Sequence, residues 1–281
     1  MRTGVLVLSV VLVGLLAGSI AHADPDALAA QEDAQIKLFA KVAPAVIFIG
    51  DDKSLGTGFF VTDTGLALTA AHVVEGDTTV TVVLYGGKRT RAKVIGAHAD
   101  FDVALLQVAV DGPVEFLPLA STVDQRVGEW VGAVGHGLGG VWAFTVGMIS
   151  NLYETKQGSK MVQTQIPLNP GNSGGPIFDR TGKVVAIVSR GATTGTALNL
   201  GVHVADAFTV FDQLLPACGC LAIDVPGSTP VFVDDALVGK GPRVLVTPRA
   251  GLHTVSTVTD GRQLEKSIHF PAERRVVLKK N

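Results

Sequence analysis

The sequence has little cysteine, few aromatic residues and no excess of charge of either sign. Its 281 residues include 2 cysteines, aromatic side chains make up 6% and charged ones 17%, and the formal net charge is −2. So few cysteines exclude a disulfide-rich scaffold. A charge this close to zero gives no electrostatic basis for binding nucleic acid or an anionic membrane. Because 47% of the residues are hydrophobic, we expect a fold stabilised by its apolar core.

The chain also lacks an apolar run long enough to cross a membrane near its start. Arg2 precedes an apolar run over Val5–Ala17, and Ala21-His22-Ala23 comes directly before Asp24. This pattern is typical of a secretory signal peptide, whereas a spanning helix needs about 20 apolar residues. We predict that residues 1–23 are removed and that the protein is exported to the periplasm or the medium. An uncleaved N-terminal anchor is the alternative.

The two cysteines, Cys218 and Cys220, are separated by a single glycine. They could form a strained short-loop disulfide or pair between chains, and the sequence leaves their redox state open. A structural zinc site needs about four ligands, more than this segment offers. The sequence therefore predicts neither a metal nor a cofactor.

Short β-rich runs dominate the chain after a helix predicted over residues 26–41. The predicted strands are 46–49, 58–61, 67–69, 79–84, 92–95 and 103–110, then 130–134, 144–149, 161–166, 184–189 and 200–204. A linker near 112–124 separates the two sets. Two sets of about six short strands fit two packed β-barrels better than alternating strands and helices. A helix over 205–215 is predicted to close this region, and we expect Pro216 and the Cys-Gly-Cys segment after it to mark a boundary.

From Leu221 onward the pattern changes to a small all-β module. Short strands are predicted at 221–225, 231–235, 243–246, 253–258 and 274–278. The predicted fold class is therefore all-β: a double six-stranded barrel followed by a small β-sandwich-like domain. The predicted division is a signal peptide over 1–23, a domain over 24–217 and the small domain over 218–281.

A serine surrounded by glycines and prolines marks the candidate reaction centre, Asn169-Pro170-Gly171-Asn172-Ser173-Gly174-Gly175-Pro176. Glycines adopt positive φ readily, so this segment can aim several N–H groups into one small space. An oxyanion requires such preorganised donors about 3 Å away. We expect the N–H groups of Gly171 and Ser173 to provide them. A turn that contains a serine by chance is the alternative.

Two earlier stretches provide partners for that serine. His72 follows an apolar strand and two alanines, which leave its ring free to act as a base; a half-buried turn histidine is the alternative. Asp102 opens an apolar strand, where a buried acid needs a partner such as an imidazole N–H. Asp100 could compete for this role, but its neighbours indicate greater exposure, so Asp102 is favoured.

Chain order separates two scaffolds that use such residues. Gly171–Gly175 matches the G-x-S-x-G elbow of α/β-hydrolases, which requires a helix after the serine and places the acid and histidine later in the chain. Here Pro176-Ile177-Phe178 predicts a strand, and His72 and Asp102 precede Ser173. The order His, Asp, Ser is that of a two-barrel serine protease. The elbow interpretation is therefore rejected.

The chain resembles the trypsin-like proteases of the bacterial HtrA/Deg type over about residues 35–212. The resemblance is carried by four motifs in family order, Gly56-Thr57-Gly58-Phe59-Phe60, Thr69-Ala70-Ala71-His72-Val73-Val74, Asp102-Val103-Ala104-Leu105-Leu106 and Asn169–Pro176. It implies that His72, Asp102 and Ser173 form a catalytic triad. It also implies that Gly171 and Ser173 form the oxyanion hole.

The resemblance implies a substrate pocket that lacks an acid at its base, where Pro167 lies. We expect a preference for small apolar residues, rather than lysine or arginine, before the cleaved bond. A strand near residue 190 is expected to pair with the substrate backbone by β-addition. The predicted substrate-binding residues are Pro167, Leu168, Ser189, Arg190, Gly191 and Leu200.

The chain departs from this family after the protease region. No PDZ domain is recognisable; residues 221–279 instead resemble a PEGA domain, a small module of bacterial surface and exported proteins. A cell-envelope partner for this module is expected. The segment Gly135-His136-Gly137 also differs from the family pattern, and His136 is predicted to be a solvated loop histidine.

The sequence therefore predicts an exported serine endopeptidase that acts on proteins or peptides, without nucleic acid, cofactor or stable membrane span. One alternative is a catalytically silent protease fold that binds peptides or anchors to the envelope. An esterase that uses the same acyl-transfer residues is another.

Overall fold

The computed structural model describes residues 25–50, 55–120, 125–137, 142–155, 158–189, 199–227 and 229–279. The predicted signal peptide over 1–23 lies outside these residues. Among the described residues, no helix is both long and apolar enough to span a membrane.

Two α-helices and nineteen strands make up the described chain, with short 3₁₀ turns at Ala43–Ala45 and Ala71–Val73. The helices are α1 (Pro25–Val42) and α2 (Val204–Cys218). The first strands are β1 (Val46–Gly50), β2 (Leu55–Phe60), β3 (Leu66–Thr69), β4 (Thr79–Val83), β5 (Arg89–His98) and β6 (Val103–Val108). The next are β7 (Trp130–Gly135), β8 (Ala143–Glu154), β9 (Lys160–Thr164), β10 (Pro176–Phe178), β11 (Val184–Val188) and β12 (Leu200–His203). The last are β13 (Leu221–Asp224), β14 (Pro230–Val233), β15 (Ala236–Lys240), β16 (Arg243–Val246), β17 (Gly251–Thr259), β18 (Arg262–Phe270) and β19 (Arg275–Val277).

The first twelve strands close into two six-stranded antiparallel barrels, as the sequence predicted. The strand order is β1-β2-β3-β6-β5-β4 in the first barrel and β7-β8-β9-β12-β11-β10 in the second. The first barrel closes where β1 pairs with β4, and the second where β10 pairs with β7. Closure leaves neither barrel with an unpaired edge strand.

Strands β3 and β6 of the first barrel are buried on both faces, which explains their almost continuous apolar sequence. Successive side chains of a strand point to opposite faces. In β3, Leu66 and Leu68 join the core between the barrels, whereas Ala67 points into the barrel interior. In β6, Leu105 and Leu106 divide in the same way. The interior of one barrel and the contact between barrels are thus built from the same strands.

Helix α2 ties the two barrels together, because it packs on β5 and β6 of the first and on β11 and β12 of the second. Its N-terminus is capped by His203, whose Nδ1 accepts a hydrogen bond from the N–H of Ala205 at 3.1 Å. The helix continues to Cys218 and ends at Gly219 with φ +71°. The helix therefore extends beyond the predicted 205–215 and ends within the Cys-Gly-Cys segment. A proline this close to a C-terminus loses only one intrahelical hydrogen bond.

The remaining strands form two small sheets, β16-β13-β19 and β15-β14-β17-β18. Strands β15 and β18 were not predicted from the sequence. A two-residue hairpin turn joins β14 to β15, with Asp234 at φ +50° and Asp235 at φ +66°; positive φ at both central residues matches the twist of the flanking strands. The likeness to a PEGA domain and the division at residues 217 and 218 remain predictions.

The small sheets, here called the C-terminal module (221–279), have their own apolar core but also join the core of the barrels. Val231, Val255 and Ile268 are buried within the module. Ala222 and Leu245 belong instead to the cluster that contains Leu105 of the first barrel. Cys220 is buried at this junction and is disulfide-bonded, while the side chain of Cys218 lies outside the described part of the chain.

Candidate active site

His72 lies where strand β3 gives way to a 3₁₀ turn. The turn spans Ala71–Val73 and is anchored by Val73 and Val74, whose N–H groups donate to the carbonyls of Ala70 and Ala71. The small, buried alanines allow the turn to pack closely while the imidazole points outward. The His72 side chain is 17% exposed, which is enough for contact with a substrate.

Asp102 holds this imidazole at two points. The Nδ1 of His72 lies 2.9 Å from Oδ1 and 2.8 Å from Oδ2 of Asp102. The backbone N–H of His72 also donates to Oδ1 at 3.0 Å, and the hydroxyl of Ser189 donates to Oδ2 at 2.6 Å. Both ring orientation and tautomer follow, because a carboxylate only accepts hydrogen bonds. The competing Asp100 is exposed.

The backbone and charge of Asp102 reflect this arrangement. Its φ of +52° is unusual for a residue with a side chain, and such strain occurs where surrounding contacts enforce it. Burial raises the pKa of the Asp102 carboxyl, but the hydrogen bonds from His72 and Ser189 outweigh burial and lower it overall. The carboxylate is therefore ionised at neutral pH.

Ser173 lies in a tight turn before β10. Gly171 has φ +101°, and a Cβ there would lie 2.5 Å from the carbonyl oxygen of His136, so only glycine fits. The N–H of Gly174 donates to the carbonyl of Val188 at 2.7 Å. Within the described chain, no oxygen accepts a hydrogen bond from the N–H of Gly171 or Ser173. These two donors are available to an oxyanion.

The turn meets the first barrel next to the histidine. A Cβ at Gly174 would lie 2.7 Å from the backbone nitrogen of Ala70, two positions before His72. In the described residues, no hydrogen bond joins the Ser173 hydroxyl to His72. In proteins of this kind catalytic hydrogen bonds are often long without substrate. The three predicted triad residues thus lie on neighbouring segments, with His72 and Asp102 directly paired.

Thr57 anchors the serine turn and was missed as a functional residue. Its N–H donates to the carbonyl of Ser173 at 2.8 Å. Its hydroxyl donates to the carbonyl of Gly171 at 2.7 Å, and its own carbonyl accepts from the Thr69 hydroxyl at 2.7 Å. A polar residue between two glycines in a buried strand was the signal that could have identified it.

Three of the predicted substrate-binding residues lie on neighbouring segments, because the N–H of Ser189 donates to the carbonyl of Leu200 at 3.0 Å and Leu168 contacts Asn199, the residue before Leu200. Pro167 is exposed, while Leu168 is half-buried and donates its N–H to Oδ1 of Asn199 at 3.2 Å. Leu200 is 6% exposed in the core between the barrels. Ser189 contacts Asp102, as described above, and the predicted Arg190 and Gly191 lie outside the described residues.

A cavity of about 500 Å³ opens beside His72. Its wall includes the small apolar residues Ala71, Ala97 and Ala99, and its rim carries Glu75 and Asp77. The cavity shows that a side chain of a bound polypeptide has space next to the imidazole.

The prediction that His136 is solvated is wrong. The residue is fully buried, with 0% exposure, and its ring packs against the ring of Phe48 at 5.0 Å and that of Trp142 at 4.9 Å between centroids. Burial lowers the pKa of the imidazole to about 4. The flanking glycines suggested an open loop, but they instead allow close packing of the chain against the serine turn.

Comparison with known proteins agrees with this geometry. Residues 56–187 match the family described as the Trypsin-like peptidase domain. A "Probable periplasmic serine endoprotease DegP-like" of Halomonas elongata is 37% identical over 168 residues, which cover 58% of this chain and 35% of that protein. A protein of the same description from Chlamydia trachomatis is 31% identical over 172 residues, covering 58% and 34%. The chain spans about a third of the length of these curated relatives.

The fold also matches a solved structure, the serine endoprotease from Yersinia pestis. The TM-score is 0.57 at 20% identity, with 83% of this chain and 96% of that chain covered. The two closed barrels agree with this match. The His72–Asp102 pair lies at the first barrel, and the serine turn, with glycines on both sides of Ser173, precedes β10 of the second. Residues 56–187 of this chain are therefore similar in sequence to the Trypsin-like peptidase domain, and part of the chain is similar to serine endoproteases described as DegP-like.

Proposed function

We propose that the protein is a serine endopeptidase that cleaves peptide bonds through Ser173, His72 and Asp102. The observation that carries this proposal is the Asp102 carboxylate, which accepts hydrogen bonds from the Nδ1 and from the backbone N–H of His72. An imidazole held in this way can act as a base through its other nitrogen, Nε2.

The chemistry follows from these contacts. Ser173 Oγ attacks the peptide carbonyl as Nε2 of His72 takes its proton. The carbonyl oxygen becomes an oxyanion, which accepts hydrogen bonds from the N–H groups of Gly171 and Ser173. His72 then returns the proton to the leaving amine, and an acyl-enzyme remains. Water hydrolyses the ester by the same route, and Asp102 stabilises the imidazolium in both halves.

The substrates we propose are proteins or peptides with a small apolar residue before the cleaved bond. Support comes from Pro167 and Leu168, which bring no acid to the expected pocket, and from the apolar Leu200, which follows Asn199, the acceptor of the hydrogen bond from the N–H of Leu168. The segment from Ser189 onward is proposed to pair with the substrate backbone. A cleavage profile dominated by arginine or lysine at that position would contradict this preference.

Export is proposed as well, with cleavage after Ala23. The pattern of the first 23 residues supports it, and so do the relatives described as periplasmic. We propose further that the C-terminal module, with its likeness to PEGA domains, binds a component of the cell envelope.

The test is labelling of the purified protein with a fluorophosphonate serine probe, followed by digestion of casein. Ser173→Ala should abolish both labelling and cleavage, whereas Ser267→Ala, which removes an exposed serine of the C-terminal module, should leave both intact. Labelling without cleavage of casein or of any peptide library would favour an esterase. Absence of labelling in the unmodified protein would overturn the proposal in favour of a silent binding fold.

A further inference from the structure

His136 is a buried imidazole that the triad chemistry does not use. It follows directly after β7, and it packs between the rings of Phe48 and Trp142. Burying an imidazole costs free energy unless its polar atoms are used. One of its two nitrogens is used: Nδ1 lies 3.0 Å from the hydroxyl oxygen of Thr57.

The hydrogen-bond stoichiometry of Thr57 fixes the tautomer of His136. The carbonyl of Gly171, 2.7 Å from the hydroxyl, can only accept, so it takes the single hydroxyl hydrogen. The hydroxyl oxygen must then accept from both other neighbours, the backbone N–H of His136 at 3.2 Å and its ring Nδ1 at 3.0 Å. Nδ1 therefore carries the hydrogen, and Nε2 has only a lone pair.

The hydroxyl oxygen of Thr57 accepts from the backbone N–H and from the ring Nδ1–H of His136, so the hydroxyl hydrogen is directed to the carbonyl of Gly171. In the opposite tautomer Nδ1 would need to accept the hydroxyl hydrogen, and the Gly171 carbonyl would lose its donor. Thr57 also donates its N–H to the carbonyl of Ser173 at 2.8 Å. With the carbonyls of Gly171 and Ser173 both held by Thr57, the backbone directly after each of these two residues is fixed, and this restricts the rotation of the adjoining peptide units that carry their N–H groups.

We propose that His136 is a positioning residue that acts through the Thr57 hydroxyl to keep the oxyanion donors of Gly171 and Ser173 preorganised. This inference rests on the proposed peptidase function. Preorganised donors need no reorientation as charge develops, and this is the source of their catalytic effect. His136 contacts no reacting atom in this scheme.

The surroundings of His136 keep it neutral and in one tautomer. Among the described residues, the groups that face it are Phe48 on β1, Thr57 on β2, Trp142 just before β8, and Gly171 in the serine turn, none of which titrates. Burial is the cause of the low pKa of about 4. Nε2 is buried and has no hydrogen-bond partner among the described residues. The ring of His136 therefore stays neutral at neutral pH.

Paired variants test the inference through kinetics. Thr57→Val keeps the shape but removes the hydroxyl, and we expect kcat for a peptide substrate to fall about 10- to 100-fold with little change in KM, less than the loss of an oxyanion donor itself. His136→Phe should act in the same direction. Thr57→Ser and His136→Asn retain the hydroxyl and a side-chain N–H donor, and should recover most of the loss.

A double-mutant cycle separates positioning from general support of the fold. If His136 acts through Thr57, Thr57→Val combined with His136→Phe should lower kcat no further than Thr57→Val alone. Multiplicative losses in kcat, or a rise in KM at constant kcat, would overturn the inference. Thermal denaturation of each variant shows whether it is folded at the assay temperature.

Nitrogen-15 NMR of the His136 ring in the unmodified protein decides the arrangement independently of turnover. We expect the Nδ1–H tautomer, without titration between pH 5 and 8, as the low pKa requires. An Nε2–H tautomer, or titration near the ordinary histidine value of about 6.5, would overturn the inference even if the enzyme is active. Conversely, an inactive protein with the expected tautomer would count against the peptidase proposal alone.

Discussion

Gly174 presents the sharpest steric constraint at the candidate site, and Gly174→Ala should destabilise the protein severely. A Cβ at this position would lie 2.2 Å from the carbonyl oxygen of Thr57, 2.2 Å from the hydroxyl oxygen of Thr69 and 2.7 Å from the backbone nitrogen of Ala70. None of these atoms is the end of a flexible chain, so the turn or the barrel must move. The φ of +83° adds backbone strain.

The expected cost can be built from these contacts. Positive φ costs an alanine about 1–2 kcal/mol, and forcing a methyl group into a packed site costs about 1–3 kcal/mol. Displacing the Thr69 hydroxyl breaks its 2.7 Å hydrogen bond to Thr57, and leaving a buried acceptor unsatisfied costs about 1–3 kcal/mol. We expect the free energy of unfolding to fall by about 4–5 kcal/mol in total, because such costs partly overlap.

Gly87→Ala provides the matched control. Gly87 has φ +91° but nothing within 4 Å of its Cβ position, so only the backbone strain of about 1–2 kcal/mol applies. Urea denaturation of both variants measures the difference, and fluorophosphonate labelling reports on the turn itself. Equal destabilisation by the two substitutions would refute the close approach of the serine turn to the first barrel.

Three further predictions concern charge. Asp102→Asn should lower kcat by about 10⁴-fold with little change in stability, because an amide can donate and so permits the wrong tautomer of His72. The free energy of unfolding should fall by about 3 kcal/mol as the pH drops from about 6.5 toward 4, since the unfolded chain protonates His136 at higher pH than the folded one; His136→Asn should remove this slope in pH-dependent urea titrations. Asp224→Asn should cost about 1.5–3 kcal/mol on thermal denaturation, since Arg243 donates to both oxygens of that half-buried carboxylate.

Each of these predictions has a control or a contradicting result. Near-normal turnover of Asp102→Asn would mean that another acid orients His72. An unchanged pH slope in His136→Asn would assign the slope to other groups. For Asp224, the control is Asp111→Asn, because the ion pair of Asp111 with Lys88 is exposed and such pairs contribute about 0–1 kcal/mol. Equal effects of the two substitutions would argue against a special role for the buried pair.

The sequence predicted the barrels well because strands such as β3, β6 and β11 are buried on both faces and so consist of apolar runs between turn residues. It predicted β15 and β18 poorly for the opposite reason. Leu237 in β15 is 60% exposed, and most side chains of β18 are exposed and polar. Such strands are determined by the strands with which they pair. Strand β18 pairs with β17 along its entire length, and β15 pairs with β14. Tertiary pairing, rather than local pattern, determines them.

At the candidate site, sequence order and motif identified the His72–Asp102 contact but not Thr57 and His136, the residues that hold the serine turn. Thr57 and His136 belong to strands and turns whose roles depend on which segment packs against them. Glycines on both sides of His136 are compatible with an open loop or with a close approach of two backbones. Only the position of Phe48, Trp142 and Gly171 around the ring decides between these alternatives.

The C-terminal module shares apolar core with the barrels through Ala222 and Leu245, and this has a geometrical consequence. A domain on a flexible linker adopts many positions relative to its neighbour, so a target bound to it has no fixed orientation relative to the neighbouring domain. A module docked through buried side chains has no such freedom. If the module binds an envelope component, as proposed above, that attachment therefore also fixes the distance and direction of Ser173 from the bound component.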